Sequence, residues 1–268
     1  MSRGHNARRK AKRQQARAAA KTRNRQSQTD PRRSVLLFPV LAIAAILIAT
    51  AILGFGAGSG SSQKQINQEV AALLAGIPQH GTTLGSPEAR TTLQMFADLE
   101  CPTVKRFVEL HLPSIISTWV RSGAVKIEYR SLKTDTINER TFYRQEEAAL
   151  AAGRQDKLWN FALTFVPEQR PPATGYATDA FFTRIASQVP DLDMERWNRD
   201  REDPSLFKAI ALDIRSARIQ DLSSTPSFVI VGPADASSVQ DEFKSSIEED
   251  IQAIRIEELG DVPLLRVR

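Results

Sequence analysis

The chain carries one cysteine among its 268 residues, Cys101, set in the string Ala97-Asp98-Leu99-Glu100-Cys101-Pro102-Thr103-Val104. A single thiol excludes an intramolecular disulfide and any cysteine-rich zinc site. It leaves thiol chemistry to be argued from position. Arg90 to Phe96 is a short run rich in β-formers, and the residues after Pro102 carry helical periodicity, so Cys101 falls at a strand-to-helix turn. Free backbone N–H groups and the positive end of the helix dipole favour a thiolate there, and can pull a thiol pKa well below about 8.5. Pro102 fits the first helical turn, where its missing N–H costs nothing. The competing reading is a buried structural cysteine, the commonest fate of a free thiol. On position alone both readings stand.

The flanking elements are legible from their periods. Gln65 to Ala75 reads as a short helix stopped near Gly76, and His80 to Ala89 as a loop. A long helix follows Pro102, with Val104, Phe107, Val108, Leu112, Ile115, Ile116 and Trp119 on its buried face, a kink at Pro113 and a stop at Gly123. Val125 to Leu132 alternates as a half-buried strand. Asn138 to Ala152, Leu158 to Phe165, Asp179 to Ser187 and Ser205 to Gln220 have helical spacing, with Tyr143, Trp159 and Phe161 as core positions. Ser227 to Val231 is then a strand and Ser238 to Leu259 an amphipathic helix. The order predicts an α/β domain with a helical insertion between its second and third strands. The last residues, LGDVPLLRVR, read either as a frayed end or as an extra edge strand.

Three stretches, FADLECPTVKRF (Phe96 to Phe107), EAALAAGRQDKLWNF (Glu147 to Phe161) and SSTPSFVI (Ser223 to Ile230), resemble the DsbA-like branch of the thioredoxin superfamily, most of all its membrane-anchored actinobacterial type. GSPEARTTLQMF looks like that family's run into its first core strand, and the likeness extends from about His80 to Ile254. The resemblance implies a thioredoxin-like fold in which Cys101 matches the nucleophilic cysteine and Glu100, Pro102, Thr103 and Val104 complete its turn. It also implies that Thr225-Pro226 matches the cis-proline loop, across an external cleft from the sulfur, where an extended substrate strand pairs with exposed backbone. Thr103 is then placed to donate a hydrogen bond to the thiolate. Neither metal nor cofactor is implied.

One departure changes the chemistry. The family's active site is C-x-x-C, whereas Val104 occupies the resolving position here. A lone thiol stores no disulfide of its own and escapes a mixed disulfide only through an outside thiol. Three readings follow: a monothiol that forms mixed disulfides with exported clients or a thiol partner, a redox-silent peptide-binding or scaffold module, and a sulfenic-acid peroxide sensor. The last calls for an activating arginine that the sequence does not identify. Glu100 reads as a solvated surface carboxylate, and His111, about 15 Å along the helix, as too distant to serve as base. No HExxH, P-loop, GxSxG or GxGxxG pattern occurs.

Outside this domain the charge is divided. Residues 1 to 33 hold 12 Lys+Arg against Asp30, whereas the remaining 235 residues hold 24 basic and 30 acidic groups. From Ser34 to Gln63 there is no charged residue, and the 22 residues of Ser34 to Phe55 would reach about 33 Å as a helix, enough to cross a bilayer. The apolar and basic regions are both too long for a cleaved signal peptide. The sequence thus predicts a basic cytoplasmic tail (1–33) beside anionic lipid and a single transmembrane helix (34–56). A linker with a short helix (57–79), an exported domain (80–259) and a C-terminal tail (260–268) follow. The basic tail has no aromatic residue for stacking bases, so no nucleic-acid partner is expected. Oligomeric state is not readable from the sequence.

Overall fold

The structure, a computed structural model, describes residues 63–233, 240–245 and 265–267. The expected transmembrane helix (34–56) and basic tail lie outside the described residues; no described helix is long and apolar enough to cross a membrane.

Helix α1 (Gln63–Leu74) ends at Gly76, whose φ of 72° takes the chain out of the helix. The loop expected from His80 to Ala89 is more ordered than its composition suggests. It carries part of a two-strand edge, β1 (Gln79–His80) and β2 (Thr83–Leu84). Strand β3 (Thr91–Ala97) lies one residue later than expected and leads through Cys101 into α2 (Pro102–Leu110). The long helix breaks at His111 and resumes as α3 (Leu112–Ile115) and a π-helical turn (Ile116–Val120). Pro113 explains the break, since its ring opposes the carbonyl four residues back and it has no N–H to give. Strand β4 (Val125–Ser131) follows, alternating buried and half-buried residues.

The insertion comprises α4 (Glu139–Gly153), α5 (Leu158–Phe165), α6 (Asp179–Ala186), α7 (Met194–Asp200) and α8 (Pro204–Ile219). Asn138, Thr178, Asp193 and Asp203 cap four of these through side-chain oxygens that accept backbone N–H groups. Helix α7 was not apparent from periodicity because it is two turns long and polar apart from Met194 and Trp197. Trp197 is fully buried, and its indole N–H donates to Ala148 O at 2.8 Å. Strand β5 (Ser227–Val231) spans the residues expected of it; residues 240–245 are helical, and β6 (Leu265–Val267) turns the presumed tail into an edge strand.

The sheet runs β1-β2-β4-β3-β5-β6, with β3 parallel to β4 and antiparallel to β5. Strand β5 is covered on both faces, which is why it reads as an apolar run, whereas β3 is buried continuously only over Met95–Ala97. Met95, Phe228 and Ile230 join the main core, where Phe107 of α2 meets Phe228 at a ring distance of 4.8 Å. Phe96 and Val229 point the other way, to Ala217 of α8, Leu132 and Leu222. Val70, Leu73 and Leu74 also enter the main core, so α1 packs against the folded body.

Gly85, just after β2, has φ of 118°, and a Cβ there would lie 3.1 Å from Lys126 Cα and 3.0 Å from a Val120 methyl. Gly85→Ala is therefore expected to lower stability by about 1–3 kcal/mol, measured as the urea midpoint.

Candidate functional site

Cys101 is the N-cap residue of α2, with extended backbone, and Pro102 stands exposed at the first helical position. The predicted strand-to-helix turn is thus where the sulfur sits. The thiol is 2 % exposed, and its Sγ donates to Thr225 O at 3.4 Å. The Thr225–Pro226 peptide is cis, and both residues are buried immediately before β5. The antiparallel pairing of β3 with β5, Phe96 opposite Ser227, brings together two segments separated by more than 120 residues.

Two expectations about the turn need correction. The sulfur does not face an open cleft, and its electrostatics run against a thiolate. Burial pushes the thiol up to about 11, and a hydrogen bond to the Asp135 carboxylate adds to this. The Thr225 hydroxyl and the Val104 N–H pull the other way without prevailing. The helix terminus supplies its N–H group as expected, but desolvation outweighs it. Glu100 is 4 % exposed and is no solvated surface carboxylate. Burial raises its pKa and the neighbouring Asp98 adds to this, against a hydrogen bond with Thr136. Thr103 is buried, and the groups acting most strongly on the sulfur are Asp135, Thr225 and Val104. Val104 is 1 % exposed in the same apolar cluster as Cys101, so the position of a second thiol is filled by packed hydrocarbon.

The residue that organises the site is Asp98, fully buried at the end of β3. Its Oδ2 accepts the backbone N–H groups of Thr134, Asp135 and Thr136, each at 2.9 Å. Its Oδ1 accepts Glu100 N–H at 3.1 Å, Gln145 Nε2 at 3.0 Å and the Thr136 hydroxyl. One carboxylate thereby joins the cysteine turn, the loop after β4 and helix α4. That loop is tied to the opposite side through Thr134 Oγ1, 2.6 Å from Thr225 Oγ1. Below lies a second buried acid, Glu146 of α4, whose carboxylate accepts from Ser131 Oγ at 2.7 Å and Tyr129 OH at 3.0 Å. Burial pushes Glu146 up to about 8, with the charges of Asp98 and Asp213 adding and the Ser131 and Tyr129 hydrogen bonds opposing. From the far side, Gln169 Nε2 donates to Leu99 O at 2.5 Å, and Lys105 Nζ to Pro167 O at 3.1 Å.

Cys101 and Thr225-Pro226 are marked in the sequence by their places at element boundaries, whereas Asp135, Gln145, Glu146 and Gln169 join the site only through the fold. Asp98 entered only as a letter of the D-x-x-C-P string. Polar residues inside apolar stretches, such as the Gln145-Glu146 pair, were the available signal.

A protein-family model described as thioredoxin matches residues 79–249, more than half of the chain. The chain belongs to the thioredoxin family. Among solved structures, BdbD from Bacillus subtilis in its oxidised form superposes with a TM-score of 0.52 at 17 % identity, over 66 % of this chain and 97 % of that one. Wolbachia pipientis alpha-DsbA1 gives a TM-score of 0.49 at 18 % identity, covering 66 % and 93 %. Pseudomonas aeruginosa DsbA2 is 27 % identical with a TM-score of 0.44, covering 59 % and 82 %. A curated relative, the Na(+)/H(+) antiporter NhaA 3 of Salinispora tropica, is 28 % identical over 160 residues. The match covers 58 % of this chain but only 22 % of that relative's length.

Proposed function

We propose that this thioredoxin-family protein is a membrane-anchored thiol–disulfide exchange protein facing outside the cytoplasm, in which Cys101 works as a monothiol. The observation that carries the reading is the placement of Sγ within hydrogen-bond reach of Thr225 O, at the junction of the cysteine turn and the strand that follows Pro226. In the proposed reaction the Cys101 proton leaves, and the thiolate attacks one sulfur of a client disulfide. That S–S bond breaks, and the departing sulfur takes up a proton. The resulting mixed disulfide is released by an outside thiol, because Val104 supplies no internal nucleophile. The apolar run from Ser34 to Phe55 and the basic tail before it support anchoring in anionic lipid with the domain outside.

A second reading, a redox-silent binding module, is favoured by the burial of the thiol and its raised pKa. Trapping separates the two. Full-length protein and a Cys101→Ser copy are expressed in the same host, quenched in acid, alkylated and run on non-reducing gels. Discrete adducts that vanish on reduction and are absent from C101S are expected of the monothiol. Identical lanes would leave the binding module.

A further inference from the structure

Helix α8 turns to solvent a face that neither the core nor the thiol site uses. At about 100° per residue, Phe207, Lys208, Leu212, Arg215, Arg218 and Ile219 fall, with Pro204 and Ala211, on one arc of about 140°. Every residue of that arc is exposed, and its large apolar side chains strongly so: Phe207 at 49 %, Leu212 at 63 % and Ile219 at 68 %. The opposite arc, Leu206, Ile210, Asp213 and Ala217, is buried. No acid stands on the exposed arc. Asp203 caps the helix and holds Arg154, Asp213 is buried against Arg130, and Asp221 lies past the last turn. On neighbouring elements Arg144, Arg154, Arg196 and Arg201 each pair with a carboxylate, whereas Lys208 and Arg215 pair with none among the described residues. This basic and apolar strip lies on a body whose acids outnumber its bases. We infer that the exposed face of α8 docks flat on a bilayer containing anionic phospholipid.

The layout of the arc suits lipid. Phe207 stands at one edge, stacked on Tyr143 at a ring distance of 4.5 Å, and Leu212 and Ile219 stand at the other, with the three cations between. A helix lying in the headgroup layer uses this pattern: aliphatic stems carry the cations to phosphates while the apolar tips enter beneath them. A second copy seated on the same face would oppose cations with cations and offer no acid to either. The tether decides between a bilayer and an acidic protein. In the anchored reading, on which this inference rests, six residues separate the apolar segment (34–56) from α1 and extend at most about 20 Å. The body then stays beside the bilayer, where even weak lipid contacts act at high effective concentration.

The test uses the full chain. Cys101 is the only cysteine in the sequence, so Cys101→Ser with Leu212→Cys lets an environment-sensitive nitrobenzoxadiazole probe report position 212 alone. A companion protein carries the probe at Glu195→Cys, an exposed site on α7. Both are reconstituted into vesicles of phosphatidylcholine with or without phosphatidylglycerol. Fluorescence at 212 should rise about threefold in the anionic vesicles, with quenching by spin-labelled lipid, and stay at its detergent level in phosphatidylcholine alone. Position 195 should respond to neither. Each cation contributes about fivefold to the partition, so Lys208→Glu with Arg215→Glu should abolish the rise, as should high salt. These exposed substitutions should leave the urea midpoint in place, which checks the fold. A signal at 212 that is equal in the two vesicles, or that survives the charge reversal, would overturn the inference. So would a rise in detergent that grows with protein concentration, which would name a second copy as the occupant. Extraction of the full chain by alkaline carbonate would sink the anchoring reading instead, and vesicles added to the extracted protein would still read the face of α8 through the same probe.

Discussion

Asp98→Ala is expected to be among the most damaging single changes in the domain, costing at least about 3 kcal/mol as read from the urea midpoint. The reason is what the carboxylate satisfies. Removing it takes the acceptor from the N–H groups of Glu100, Thr134, Asp135 and Thr136 and one of the partners of the Gln145 amide, which keeps the Thr136 hydroxyl. A buried donor left without a partner costs about 1–3 kcal/mol, and these losses fall together, though not additively, because the loop relaxes as a unit. Asp98→Asn is a sharper probe, since its amide nitrogen can occupy only one side and must oppose either the three loop N–H groups or those of the cysteine turn. Both variants should also speed alkylation of Cys101 at pH 8, because the turn and loop that bury the thiol are released. An Asp98→Ala protein with wild-type stability would show that water takes over these donors, and would remove the clamp from the account of the site.

The second large effect concerns pH. Glu146 is fully buried, and its pKa lies at about 8 in the folded chain against an ordinary value near 4.5. Between those values the native protein holds a proton that the unfolded chain releases. The stability contributed by this group is thus complete below about pH 4.5 and is lost as pH rises toward 8. The slope approaches about 1.4 kcal/mol per pH unit, and a loss of a few kcal/mol accumulates over the interval. Urea midpoints should fall from pH 5 to pH 8, whereas most small domains are near their best in that range. Glu146→Gln, which keeps the shape and fixes the neutral state, should flatten the trend and exceed wild type at pH 8. Equal slopes in the two proteins would place the titrating group elsewhere. The two effects are coupled: deleting the Asp98 charge removes one cause of the raised pKa, so D98A should show a shallower pH dependence as well.

How these residues divide between sequence and structure is instructive. Strand β5, helix α5 and the buried face of α2 follow directly from spacing, because burying a continuous apolar stripe is a local requirement that leaves its period in the chain. Cys101 at a helix start and Pro226 before a strand are legible for the same reason: both are punctuation between elements. The brief edge strands β1 and β2 and the two-turn helix α7 leave too few residues for a period, and β6 is a strand only because β5 offers it an unpaired edge.

What the sequence by itself determined is the inventory: one thiol at the turn from strand to helix, no second thiol to resolve it, and a helical insertion that must fold away before the chain returns through Thr225-Pro226. The state of that thiol was decided only by the tertiary structure. Local chemistry, a sulfur at the positive end of a helix, argues for a thiolate. The folded protein removes water from the sulfur and brings Asp135 to it from a loop more than 30 residues away, so the thiol form prevails. Desolvation and through-space charge depend on distances that chain order does not encode, which is why position and protonation, both questions about one residue, were answered at different levels.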